Sequence, residues 1–265
     1  MKLLIFIIFL YIPSLINAEI FPEIYGCFCE GGIITGKISK ENNLIIDKKK
    51  IEIFEGDRFI FAFGRKFKKN LEIQVDGFSR EFKIQDKKYK IENIRGLPKN
   101  KVEPSQTELN KILSDQQKIN QAKKTGHRKK LFDDNFVIPS KGRISGVYGS
   151  QRILNSKPRR PHAGIDIAAK EGTIVVAPSS GIVKLVARDM FFTGNTIILD
   201  HGLGLISIFA HLKDVLVEEK DKVSQGAIIG SIGMTGRATG PHLHWGVYLN
   251  NISVDPNILL NYELN

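Results

Sequence analysis

Cysteine, tryptophan and histidine are scarce in this chain: two, one and six residues among 265. Cys27 and Cys29 are too few for a disulfide-built scaffold. A zinc site on them would lack nearby partners, and in an extended i, i+2 pair the Cα atoms lie near or beyond the usual reach of a bridge. Mutual, intermolecular and reduced states all stay open. Beyond the first eighteen residues no run is apolar enough to span a bilayer, which takes about 20 residues. The opening stretch MKLLIFIIFLYIPSLINA has a basic Lys2, an apolar run broken at Pro13 and a small residue at Ala18. It reads as a secretory signal peptide cleaved after Ala18, with an uncleaved N-terminal anchor as the alternative; cleavage leaves no stable membrane span. An apolar content of 42% excludes a fully disordered chain.

Charge is uneven. Between Glu19 and Lys130, 25 Lys/Arg stand against 16 Asp/Glu, and between Leu131 and Asn265 the count is 13 against 12. The lysines of the first part are scattered over strands and turns, the pattern of a solvated face, although an anionic wall polymer could also use them. Export argues against a nucleic-acid partner.

Residues 24–96 contain no histidine and no catalytic cluster. GGIITGKI, RFIFAFG, LEIQVDG and EFKIQDKKYKIENI are β-branched, aromatic and partly alternating, with Gly, Asn and Asp between them, and predict a small all-β module. Composition then shifts. Pro98 and Pro104 bracket a connector, and Ser105 with Glu108 fits a capping box. Leu109, Ile112, Leu113 and Ile119 follow near helical spacing, so an amphipathic helix is expected from about 105 to 124. From Phe132 onward, short β-rich stretches alternate with glycine turns, and the lack of a recurring helix pattern between them argues against a parallel α/β sheet. The expected architecture is therefore mainly β: signal peptide 1–18, N-terminal β module 19–100, helical linker 101–130 and a β domain 131–265.

Five of the six histidines lie in this last part. His127, among linker basic residues, reads as exposed. His162 and Asp166 in PHAGID are four apart and share a face on strand or helix. His242 and His244 in GPHLHWGV share a strand face, with Trp245 pointing the opposite way. Two histidines and one carboxylate make a catalytic zinc set that leaves a fourth position for water. Such a site also wants neutral bases near the water, and His211 in FAHL and His242 are the right residue type. His201, at a turn in LDHGLG, is expected to hold backbone or a neighbour. GSIGMTGRATG lacks the Lys-Ser/Thr of a phosphate-binding loop and reads as tight turns.

His162-Ala-Gly-Ile-Asp166, Asp200-His201-Gly202, Phe209-Ala210-His211-Leu212, Thr235-Gly236-Arg237 and Gly240-Pro241-His242-Leu243-His244 resemble, in order and spacing, the LytM or lysostaphin-type zinc peptidases of family M23. The resemblance runs from about Phe136 to Leu260 and implies a predominantly antiparallel β fold with a groove over the metal. It implies one zinc per catalytic domain held by His162, Asp166 and His244, with His211 and His242 as unligated catalytic histidines. A tyrosine that some members carry before the first ligand has no clear counterpart here, which makes Arg152 and Tyr148 the candidate substrate or transition-state contacts. The N-terminal β module and GVYGSQRILNSKPRRPH look closest to exported Gram-negative members. The implied function is a periplasmic zinc metalloendopeptidase cutting peptidoglycan cross-links between D-residues, with zinc-bound water as nucleophile. The alternative is a non-catalytic regulator of other wall hydrolases. The β module is expected to bind the wall or a protein partner, or, together with the helix, to lie against the groove and limit access.

Overall fold

The computed structural model describes residues 21–264 except 125, 134 and 263, so the signal-peptide reading lies outside the described residues. Among them no helix is long and apolar enough to cross a membrane. The chain is mainly β. One ten-stranded sheet, paired antiparallel throughout, carries the second half, and five of its strands run in the order Gly194–Gly202, Leu205–Val215, His242–Leu249, Gly164–Ala168 and, at the edge, Arg143–Gly146.

Alternation assigns this sheet two faces. Ile165, Ile167, Phe209, Leu243, Trp245 and Val247 are buried together in the main core. Each large side chain fully removed from water contributes about 1.5–3 kcal/mol, and Trp245, completely buried, supplies one of the largest. The intervening residues point to the other face, where Asp166 stands opposite His244 on one side and Ala210 stands opposite it on the other.

The N-terminal strands form a four-stranded and a three-stranded antiparallel sheet around a second core that includes Ile34, Phe59, Phe63 and Ile73. This part does not stand alone: Ile33, Ile60 and Ala62 join the main core. The stretch EFKIQDKKYKIENI splits in two. Phe78–Lys83 pairs within the four-stranded sheet, whereas Ile91–Ile94 crosses over and pairs in parallel with Gln151–Leu154. The Asp86-Lys87-Lys88 run between them has no apolar alternation, and Lys87 Nζ reaches Asp255 at 2.8 Å, carrying the chain across.

Cys27 and Cys29 are bridged. The backbone there turns rather than extends, bringing the Cα atoms to 5.3 Å, inside the usual range of about 4.4–6.8 Å. Of the three states the sequence left open, the mutual bridge is the one formed, and the turn brings the pair within reach.

The capping box is present as expected: Ser105 N donates to Glu108 Oε2 at 2.8 Å and Glu108 N donates to Ser105 Oγ at 3.3 Å. The helix they start spans Gln106–Lys124. Its buried stripe is narrower than the apolar spacing suggests. Ile119 and Ala122 pack on Ile198, Ile206 and Ile208, while Leu109 and Leu113 stay exposed. Asp115, which accepts from Phe191 N at 2.7 Å, takes the next place on that stripe.

Candidate metal centre

His162 precedes the strand Gly164–Ala168 and is pinned by its own backbone, its N–H to Ser150 O at 2.9 Å and its carbonyl to Gly149 N at 2.8 Å. Its Nδ1 lies 3.1 Å from Val147 O. A carbonyl can only accept, so the proton sits on Nδ1 and the lone pair of Nε2 points inward. That Nε2 lies 3.0 Å from Asp166 Oδ1 and 2.9 Å from His244 Nδ1, and the last two atoms are 2.9 Å apart. These three side chains form a group whose ligand atoms converge within metal-binding distance.

The donor set fits a divalent cation. One proton on His244 Nδ1 can serve Asp166, but it leaves the His162 lone pair facing a carboxylate lone pair in a buried site. A cation among the three satisfies every contact at once. Burial alone pushes the Asp166 carboxyl up, yet its hydrogen bonds and charge interactions with His162 and His244 outweigh that and hold it well below the usual range. Burial lowers His244 to about 4, against the pull of Asp166, so its ring is neutral at pH 7.

Arg152 bonds to the other oxygen of that carboxylate through Nη2, and its Nε lies 3.4 Å from Glu92 Oε2. It therefore fixes Asp166 and leaves Oδ1 free for a metal. Gly146, opposite Asp166 on the neighbouring strand, makes room for this: a Cβ there would stand 2.5 Å from Asp166 Oδ2 and 2.8 Å from Arg152 Nη2. Glu92, sixty residues upstream in the other half, has no sequence signal that joins it to the site. Tyr148 is brought to a different place. Its hydroxyl donates to Ser253 O at 2.8 Å and its ring meets Tyr89, so it is engaged in packing against the N-terminal part.

His211 reaches the site through a bulge. Asn195 to Ile197 spans two steps opposite the three from Phe209 to Leu212, and the extra residue is accommodated with His211 at φ 64°. Simple alternation would turn His211 into the core beside Phe209; the bulge re-aims it. Its ring lies 4.6 Å from that of His242, centroid to centroid. Nδ1 of His211 is 2.8 Å from Thr235 O and Nδ1 of His242 is 2.9 Å from Gly240 O. Both rings therefore carry a proton on Nδ1, which leaves Nε2 as the atom not tied to backbone. Burial, reinforced by His242 and His244, lowers His211 to about 3 and keeps it neutral.

His201 is elsewhere. It lies wholly buried on the core side, its Nδ1 2.8 Å from Ser180 O and its Nε2 2.8 Å from Ser207 Oγ, which also accepts from Trp245 Nε1 at 3.1 Å. His127 is half-exposed, yet its backbone N–H and its ring Nδ1 both bond Asp200, at 2.9 and 2.7 Å. The linker is thus tied down more firmly than its composition suggests.

Residues 160–256 match the profile of Peptidase family M23. The chain carries a peptidase family M23 domain. A crystal structure of an M23 peptidase from Pseudomonas aeruginosa is similar over 88% of this chain and 94% of that one, at 28% identity and a TM-score of 0.64. Among its relatives, the peptidoglycan DD-endopeptidase ShyA of Vibrio cholerae is 38% identical over 111 residues, 42% of this chain and 26% of ShyA. The DD-carboxypeptidase/endopeptidase Mpg of Neisseria meningitidis is 36% identical over 134 residues, 47% of this chain and 31% of Mpg. The matched part thus spans about a quarter to a third of the length of these M23 relatives.

His211, His242, Asp166 and Arg152 line a cavity of about 420 Å³ that is walled on another side by Glu92, Ile94 and Leu97. That wall is a strap. Leu97 and Val102 pack with Leu154 and Ile94, and Lys101 Nζ lies 4.0 Å from the Phe191 ring centre. The helix Gln106–Lys124 lies on the histidine-bearing face of the sheet as well, over Ile206 and Ile208, while Lys123 reaches the ring of Tyr248 at 4.4 Å.

Proposed function

We propose that this chain is an exported zinc metalloendopeptidase that hydrolyses peptide cross-links of peptidoglycan, acting in the periplasm on bonds between D-configured residues. The observation that carries the reading is the convergence of His162 Nε2, Asp166 Oδ1 and His244 Nδ1 beside two further histidines whose Nδ1 atoms are held by backbone carbonyls. The names of the M23 relatives support the substrate class.

His162, Asp166 and His244 would hold one zinc, with Arg152 and Glu92 fixing the carboxylate behind them. When bound, zinc supplies a Lewis acid that polarises a carbonyl and acidifies water. His211 and His242 handle the proton. A neutral imidazole with its Nδ1–H tied to a carbonyl accepts at Nε2, and the resulting Nε2–H donates to developing negative charge or to the departing amine. The backbone carbonyls of Thr235 and Gly240 stabilise either ring when it becomes cationic. We also propose that the strap and helix limit access to this face, since both lie on it.

Mass spectrometry of purified muropeptides after digestion tests the activity. Cross-linked dimers should be converted to monomers, with His242→Ala inactive at full zinc content. A wild-type protein that holds zinc but releases no monomers would instead be a regulator.

A further inference from the structure

Arg237 is the cavity-lining cation that the chemistry above does not use. It sits in the loop ahead of the strand His242–Leu249, its backbone N–H fixed to Phe192 O at 2.9 Å and its guanidinium stacked 4.2 Å from the Phe192 ring centre. It shares the cavity wall with His211 and His242. Among the described residues it forms no ion pair, and its one side-chain hydrogen bond, to Lys101 O, is 3.5 Å long. The neighbouring arginines are occupied: Arg152 on Asp166 and Glu92, Arg159 on Val102 O at 2.7 Å. A stacked, oriented guanidinium with most of its donors free is built for a planar anion. Burial, and then the charges of Arg152 and Arg159, lower its pKa to about 10, so it stays a cation at neutral pH and gains most from a negative partner.

The inference rests on the function proposed above. In a bond between two D-centres the leaving amine sits on a carbon that bears its own carboxylate, and that carboxylate is free both at a chain end and at a cross-link through that amine. We propose that Arg237 is the specificity residue that binds this carboxylate, so that the site selects amide bonds whose leaving amine carries a free α-carboxylate. An ordinary peptide bond, whose corresponding carboxyl is an amide, lacks the feature.

The test uses two synthetic cross-linked peptide dimers, identical except that the carboxylate beside the scissile nitrogen is free in one and a carboxamide in the other. A charge-assisted pair of this kind corresponds to about tenfold or more. The wild-type protein should therefore show kcat/KM at least about tenfold higher for the acid, with Arg237→Gln bringing the ratio near one and Arg237→Lys giving an intermediate value. Taking the ratio within each variant cancels any loss of folded protein. Equilibrium binding of both dimers to the metal-free protein reads the same preference without turnover. Equal handling of acid and amide by the wild type, or an unchanged ratio in Arg237→Gln, overturns the inference. Selective acid binding with no cleavage would sink the peptidase reading and leave the role of Arg237 standing.

Discussion

The central sheet buries histidines on both of its faces, and the two sites differ in how their hydrogen bonds close. On the core face a single chain of bonds runs from Trp245 Nε1 to Ser207, from the Ser207 hydroxyl to His201 Nε2, and from His201 Nδ1–H to Ser180 O. Every donor there has an acceptor. On the groove face His162, Asp166 and His244 turn acceptors toward one another, and no placement of protons satisfies all three contacts. Burial lowers His201 and His244 alike, each to about 4, so the acidity of the ring does not distinguish them. Burial of histidine is thus common to both faces, and an open set of acceptors sets the groove face apart.

That contrast breaks most sharply with a pair of substitutions. His244→Ala should abolish both zinc binding and turnover, measured as metal content and muropeptide release. His201→Ala should keep its zinc while losing thermal stability, because the Ser207 hydroxyl proton and Ser180 O lose their partner at a cost of about 1–3 kcal/mol. If His201→Ala lost zinc as completely as His244→Ala, the two faces would not be independent.

Within the groove face the histidines should separate in turn. His211→Ala and His242→Ala should retain zinc, and kcat should fall by about 10²–10⁴ as expected for removal of a positioned acid or base. One layer further out, Arg152→Gln should weaken zinc binding about 10–100-fold, the usual effect of losing the partner of a ligating carboxylate; a competition titration with a chelator reads it.

The core face has its own signature in pH. The folded-state value of His201, about 4, lies below its ordinary 6.5, so between those values the unfolded chain binds the extra proton. Its contribution to stability is complete above about pH 6.5 and is lost as pH falls toward 4, on the order of 3 kcal/mol in all. Denaturant melts of wild type and His201→Gln between pH 7 and 4 should converge as the pH drops. The smallest effect is expected from the strap: Leu97→Asp with Val102→Asp removes its apolar anchor and should raise turnover of soluble muropeptides several-fold. Unchanged turnover would leave the strap a passive wall of the cavity.

Much of the groove face was legible in the sequence because its signals are local. His242 and His244 lie two apart on one strand, whose alternation aligns them, and His162 lies only four residues before Asp166, just ahead of that residue's strand. The capping box at Ser105 and Glu108 was legible for the same reason. What escaped depends on contacts distant in sequence or on irregular backbone. The bulge that swings His211 out of the core breaks the alternation from which strands are read. Glu92 meets Arg152 across sixty residues only because Ile91–Ile94 leaves the N-terminal sheets. Leu109 and Leu113 have helical spacing but lie off the stripe that Ile119 and Ala122 bury.

The most direct test of the account is zinc content measured side by side with muropeptide products for the wild type, His242→Ala and His244→Ala. The wild type should show one zinc and monomer release, His242→Ala one zinc and no release, and His244→Ala neither. A wild-type protein that releases monomers with no bound metal, or a His244→Ala protein that keeps both zinc and turnover, would contradict it.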